Sequence, residues 1–210
     1  MTLMKKITIV DYGSGNVLSA QKSFIKVTND MNLEARVVVS NDLNIIKSST
    51  HIVLPGQGAF STCMSNLKKT PGLVDELYNY AIIKQKPFLG ICVGMQMLAN
   101  DSEENGLHKG LGWIDGHIKA LPNKNLKMPH MGWNVVNPIN TNKLIKQPQD
   151  YYFVHSYYFK CQNNQNILAE TRYGMNFTSI VSKENIYGVQ FHPEKSSSQG
   201  LNLIKNFVIN

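Results

Sequence analysis

The stretch FLGICVGMQMLAN, residues 88–100, decides how the chain is read. After Pro87 comes a short apolar run, Phe88 to Ile91, with the length and composition of a buried strand. Cys92 follows, and from Val93 to Leu98 the apolar residues resume at helical spacing. Gly90 and Gly94 stand two residues either side of the cysteine, the spacing of a nucleophile elbow with sulfur in place of a serine hydroxyl. A turn that tight strains the nucleophile's backbone, and neighbouring chain passes only where side chains are missing. It also sets Cys92 at a helix N-terminus, where unpaired amides and the helix dipole favour a thiolate. The alternative is a buried cysteine with two unrelated glycines. Strand, elbow and helix arriving in order favour a catalytic thiol.

Upstream of the elbow, strand and helix alternate. KITIVD (6–11) is a strand ending in the turn YGSGN, whose Gly13 and Gly15 lack the third glycine of a dinucleotide fingerprint. Val17, Ala20, Phe24 and Val27 mark one face of a helix over 17–27. ARVVVS (35–40) is apolar through its middle, as in a parallel sheet covered on both faces. Asn41 or Asp42 caps a short helix through Lys47, and HIVLP (51–55) forms a third strand. Helical patterns at 59–69 and 72–85 are separated by Pro71–Gly72. The expectation is a doubly wound α/β sheet, mostly parallel, with active groups at the carboxyl ends of its strands. From Gly110 the rhythm changes to short β-like segments at 117–121, 133–137, 151–159, 167–171, 177–182 and 186–191, then a helix at 198–208. This half predicts additional, partly antiparallel strands. With no repeat or linker in sight, residues 1–210 read as one domain.

Composition narrows the class. Hydrophobic content of 42% and charged content of 17% suit a soluble globular protein with a sizeable core. The apolar run after Lys5–Lys6 stops at Asp11, too short for a signal-peptide core, and no stretch approaches a spanning helix. A cytoplasmic protein without membrane contact is expected. Cys63, Cys92 and Cys161 are widely spaced and odd in number, which offers neither a disulfide framework nor a zinc site. The net charge of +7 comes from scattered lysines without a basic run interleaved with aromatics, so nucleic acid is not expected as a partner.

Two segments fit the service of a thiol. PGQGAF (55–60) ends the third strand, and its glycines would leave the amides of Gln57 and Gly58 free to point at a developing oxyanion, with the Val93 amide as the other donor. An ordinary glycine turn is the alternative. In GVQFHPEKS (188–196), Pro193 keeps His192 out of a helical conformation. Residues two apart in an extended segment share a side, so Glu194 is placed to orient the His192 imidazole as a third triad member does. A surface histidine near a proline is the alternative there. The other five histidines, His51, His108, His117, His130 and His155, lack this context and read as structural.

Taken together, PGQGAF, GICVGMQ and GVQFHPEKS resemble the class I (triad) glutamine amidotransferases, over nearly the whole chain. Within them DYGSGN, PHMGWN (129–134) and YYFVHSYY (151–158) resemble the glutaminase subunits of imidazole glycerol phosphate synthase, the tryptophan of MGWN and the lysine of HPEKS being the specific marks. Gln57 departs from the aliphatic residue many members carry, at a position that contributes its amide. The resemblance implies Cys92, His192 and Glu194 as the triad, and oxyanion donors at Val93 and at Gln57 or Gly58. It implies Gln96 and Glu104 on the amino-acid end of glutamine, with backbone at Ser156 and Tyr157 closing the pocket. It implies no metal or organic cofactor. The implied partner is a (β/α)8-barrel cyclase that receives ammonia in a heterodimer, with Asn16, Trp133, Tyr152 and Lys195 at the interface. Two other readings stay open at this level: a paralogue feeding another synthase, such as a sugar-amidating enzyme, and a non-catalytic docking subunit.

Overall fold

The computed structural model describes residues 4–122 and 126–209. Its first half alternates β1 (Lys5–Val10), α1 (Val17–Asp30), β2 (Ala35–Ser40), α2 (Leu43–Ser48), β3 (His51–Gly56), α3 (Phe60–Lys69), α4 (Leu73–Tyr78) and β4 (Phe88–Cys92). β2, β1, β3 and β4 lie side by side in that order, all parallel. The chain runs one way from β1 to β2 and back the other way to β3 and β4. Right-handed crossovers therefore put α1 on one face and α2 to α4 on the other. Both faces are covered, which is why Ile52 to Leu54 and Phe88–Leu89 are apolar without alternation and fully buried.

Local sequence sets these elements. Asn16 caps α1, its Oδ1 accepting from the Ser19 amide at 3.3 Å, and Ala20, Phe24 and Val27 bury one face. Phe24 meets Phe207 of α6 (Ser197–Ile209) edge-on at 6.3 Å, and each buried phenylalanine is worth about 1.5–3 kcal/mol. The helix expected over 72–85 differs. Gly72, at φ 76°, starts α4, which ends at Tyr78 and continues as a π-helical turn, Asn79–Ile83.

The second half holds β5 (Asp101–Ser102), β6 (His108–Lys109), β7 (Gly116–Ala120), β8 (His130–Pro138), β9 (Gln149–His155), β10 (Tyr157–Cys161), β11 (Ile167–Tyr173), β12 (Met175–Lys183) and β13 (Ile186–Val189). The single strand expected over 151–159 is two, broken at Ser156: β9 pairs with β8, and β10 with β7 and β12. The two-residue strands β5 and β6 carried no recognisable signal. β13 is antiparallel to β12 but parallel to β4, so it becomes the fifth strand of the parallel layer. The expected class, mostly parallel α/β with added antiparallel strands, is the one observed. Among the described residues, no helix is long and apolar enough to cross a membrane.

Candidate active site

β3, β4 and β13 are neighbours, and their carboxyl ends bring the PGQG turn, Cys92 and His192 to one cavity of about 290 Å³. Its lining includes Gln57, Gly58, Cys92, Val93, Gln96, Glu104, Ser156, Tyr157, His192 and Lys195. Cys92 sits at φ 54° and ψ −113°, a strained conformation for a residue with a side chain. The packing around it explains the flanking glycines. A Cβ on Gly94 would collide with the Leu54 carbonyl oxygen, and one on Gly90 would stand 2.6 Å from the Gly94 carbonyl oxygen. The helix after the elbow is shorter than the expected span to Leu98: α5 is one turn, Val93–Gln96. What Cys92 gains is therefore the free amides of that turn rather than a long macrodipole.

His192 and Glu194 meet: Nδ1 lies 2.9 Å from Oε1, with both side chains almost wholly buried. The extended geometry expected for this segment is only half present. His192 is extended at φ −105° and ψ 93°, but Pro193–Lys195 is a 3₁₀ turn, and it is this turn that folds Glu194 back onto the imidazole. Ser196 ties the segment down, its Oγ donating to the His192 carbonyl at 2.6 Å and accepting from the Tyr152 amide at 2.9 Å. His192 Nε2 and Glu194 Oε2 are buried without a hydrogen-bond partner among the described residues. Burial opposes a charge on His192, but Cys92 and Glu194 outweigh it and push its pKa up to about 10. An imidazole held between a sulfur and a carboxylate can take the sulfur's proton and keep it, its imidazolium form stabilised by the thiolate and by Glu194.

The rest of the cavity is polar. Gln96 Nε2 donates to the Tyr157 carbonyl and to Gln190 Oε1, both at 3.0 Å. Glu104 Oε2 accepts from the Phe60 amide at the start of α3, at 2.7 Å. Gly58, which lines the cavity, has φ 98°, and a Cβ there would meet nothing within 4 Å. Cys63 lies beneath that turn, its Sγ 3.4 Å from the Gln57 carbonyl, and burial pushes its pKa up, as it does for Cys161. Among the described residues, no group of three or more His, Cys, Asp or Glu side chains is placed to hold a metal ion.

Comparison with known proteins fits this geometry. The family model described as "Glutamine amidotransferase class-I" matches residues 8–210. The chain belongs to the class-I glutamine amidotransferase family. It is 45% identical over 207 residues to the imidazole glycerol phosphate synthase subunit HisH of Pelagibacter ubique, covering 96% of this chain and 98% of the relative. Identity is also 45% over 206 residues to the subunit HisH 2 of Methanococcus maripaludis, with 96% and 98% covered. Among solved structures, a glutamine amidotransferase matches with a TM-score of 0.71 at 16% identity over 96% of this chain and 97% of that one. Another, from Thermotoga maritima, matches at 0.64 and 17% identity, over 93% and 78%. Those two likenesses concern the fold.

In this amidotransferase the residues read as interface come from several elements. Trp133 and Tyr152 are register partners across β8 and β9, with ring centroids 6.2 Å apart, and Lys195 lines the cavity. Asn16 caps α1 with its side chain. Sequence reasoning passed over Gln190, whose amide also approaches the Cys92 sulfur at 3.9 Å. A glutamine inside the apolar run Val189–Phe191 was the available signal, since a buried polar side chain needs a partner. It also passed over His155, which lines the cavity and contacts His130.

Proposed function

We infer that the chain is the glutaminase subunit of an imidazole glycerol phosphate synthase, one amidotransferase domain over its length. Cys92 attacks the side-chain amide carbon of glutamine, and the oxyanion is held by the Val93 amide and that of Gln57 or Gly58. His192 takes the thiol proton and gives it to the departing nitrogen, so ammonia leaves and a γ-glutamyl thioester remains. His192 then draws a proton from water, hydroxide adds to the thioester, and glutamate leaves as sulfur recovers its electrons. Glu194 fixes the imidazole through Nδ1 and stabilises its charge. The ammonium end of glutamine needs acceptors, and the Glu104 carboxylate and Gln96 Oε1 are the ones at hand.

The observation that carries this reading is the buried His192–Glu194 pair, whose histidine lines the same cavity as a strained Cys92, in a chain this similar to HisH subunits. Ammonia released to solvent would be lost, so the reading includes a (β/α)8-barrel cyclase as partner and a cytoplasmic setting. Met131, Trp133 and Val135, exposed at 61%, 54% and 40% on alternate positions of β8, suit such a docking face. Affinity purification of the chain from its native cells, followed by identification of the copurifying protein, tests the reading. A cyclase should copurify, and the pair should convert glutamine to glutamate while the imidazole product forms. A different synthase in the eluate would overturn the acceptor assignment.

A further inference from the structure

Behind the glutamine pocket runs a chain of buried polar groups that the triad does not use. His155 Nδ1 lies 2.8 Å from the Tyr157 carbonyl, which only accepts, so Nδ1 carries the proton and donates. A neutral imidazole then has its Nε2 as acceptor, and His130 Nδ1, 2.9 Å away, must donate to it. That leaves His130 Nε2 as an acceptor, met by the Asn134 amide nitrogen at 3.1 Å. Each step fixes the next, and both tautomers follow from one carbonyl. The pair is buried, His130 stacked 4.1 Å from Tyr173 and His155 packed on Phe153 and Phe177. Burial lowers both pKa values, His130 to about 4 and His155 to about 3, in keeping with two neutral rings.

The consequence lies on the pocket side. The Tyr157 carbonyl that His155 holds is the one that accepts from Gln96 Nε2 at 3.0 Å. Since Nε2 is also taken by Gln190, the Gln96 amide is fixed in one sense, and its Oε1 has no donor among the described residues. That oxygen is the atom left for a ligand's ammonium.

We propose that His155, backed by His130, is a positioning residue that sets the Tyr157 carbonyl, and through it the Gln96 amide, for binding the ammonium end of glutamine. The proposal rests on the glutaminase reading above and assigns a role to two residues outside the triad. It separates the two nitrogens of His155. An asparagine at 155 keeps a donor where Nδ1 stands and loses the partner of His130. A glutamine keeps a group where Nε2 stands and loses the donor to Tyr157.

The test measures glutamine binding by calorimetry on the full chain carrying Cys92→Ala, which cannot turn over. Adding His155→Gln should raise Kd about tenfold or more, the cost of losing one buried hydrogen bond. Adding His155→Asn should raise it far less. Equal effects of the two variants, or the reverse order, would overturn the proposal, because loss of packing would not distinguish the nitrogens in this direction. A variant that fails to fold is bypassed by nitrogen NMR of the unsubstituted chain with labelled histidine. Both rings should be neutral Nδ1–H tautomers at pH 7, and an Nε2–H or charged His155 would overturn it equally. If the Cys92→Ala chain binds no glutamine at all, the glutaminase reading fails first and this inference with it, whereas normal tautomers with indistinguishable variants would sink this inference alone.

Discussion

Gly56 stands in register with Cys92 across the parallel β3–β4 ladder. The turn that follows Gly56 and the turn that follows Cys92 therefore leave the sheet side by side, one carrying the Gln57 and Gly58 amides and the other the Val93 amide. On the proposed reading, the oxyanion that forms when the sulfur adds to the amide carbon would fall between them. Gly94 lets the two turns approach, since any Cβ there would strike the Leu54 carbonyl.

The reactive thiol is the first consequence. Cys92→Ala should abolish glutamine hydrolysis, and an electrophilic glutamine analogue should attach to Cys92 alone. Cys63 and Cys161 have pKa values raised by burial, which makes them poor nucleophiles. Mass spectrometry of the labelled chain decides this, and a label on either of the other two cysteines would rule out the assignment.

His192 and Glu194 should not be equivalent. Without the imidazole the thiol has no proton acceptor, so His192→Ala should cost at least ~10³ in kcat, in line with triad deletions that act as a unit. Glu194→Gln keeps a hydrogen-bond acceptor at 2.9 Å from Nδ1 and removes only the charge, so its loss should be smaller. Steady-state kinetics with the partner present measures both. A His192→Ala chain at full rate would show that another base serves Cys92.

Much of this was legible in the sequence, for reasons that differ by element. Apolar β1, β3 and β4 announce a covered parallel sheet, and Gly90–Cys92–Gly94 announces the elbow, because both are written in contiguous residues. The placing of β13 was not legible: nothing in Ile186–Val189 says that it pairs with β4, although that pairing is what carries His192 to Cys92. The His192–Glu194 contact was anticipated from spacing, yet the 3₁₀ turn that makes it was not, since Pro193 suits both an extended segment and a helical first turn. His130 and His155 are 25 residues apart and meet only because β8 and β9 pair, so no local signal joined them.

Stability should respond to pH through the buried histidines. Burial lowers the folded pKa of His51 and His130 to about 4 and of His155 to about 3, below the unfolded value near 6.5. Protonation then favours the unfolded chain, so their contribution is complete above about pH 6.5 and is lost as pH falls toward 4. His192 has the opposite sign: its folded pKa of about 10 makes its contribution complete below about 6.5 and lost as pH rises through 10. Urea unfolding should therefore show a stability maximum near neutrality, with a loss above ~1 kcal/mol between pH 7 and pH 5. A midpoint unchanged over that interval would mean that these rings are not buried neutral.

The proposed docking face should control the rate as well as the affinity. Trp133 is 54% exposed beside Tyr152 and shares one face of β8 with exposed Met131 and Val135, an apolar patch suited to docking. Lys195 follows Glu194 directly and lines the cavity, so a partner that engages Lys195 bears on the segment holding His192. On the other side of the cavity, Gly58 at φ 98° can reverse its amide with little cost, because glycine tolerates both conformations. One misplaced oxyanion donor costs ~10²–10³ in turnover, enough for a single peptide to gate the reaction. A partner that favours the productive turn would shift that equilibrium. Glutamine hydrolysis should then rise at least ~10²-fold when cyclase and its acceptor are added to the chain. Trp133→Ala should weaken the complex ~10–30-fold, as the loss of a central aromatic anchor does. Lys195→Ala should reduce the stimulation while the electrophilic analogue still labels Cys92. Binding by calorimetry and hydrolysis by glutamate release measure the two effects separately. An isolated chain that already hydrolyses glutamine at the rate of the complex would rule out the gate, whatever Trp133 does to affinity.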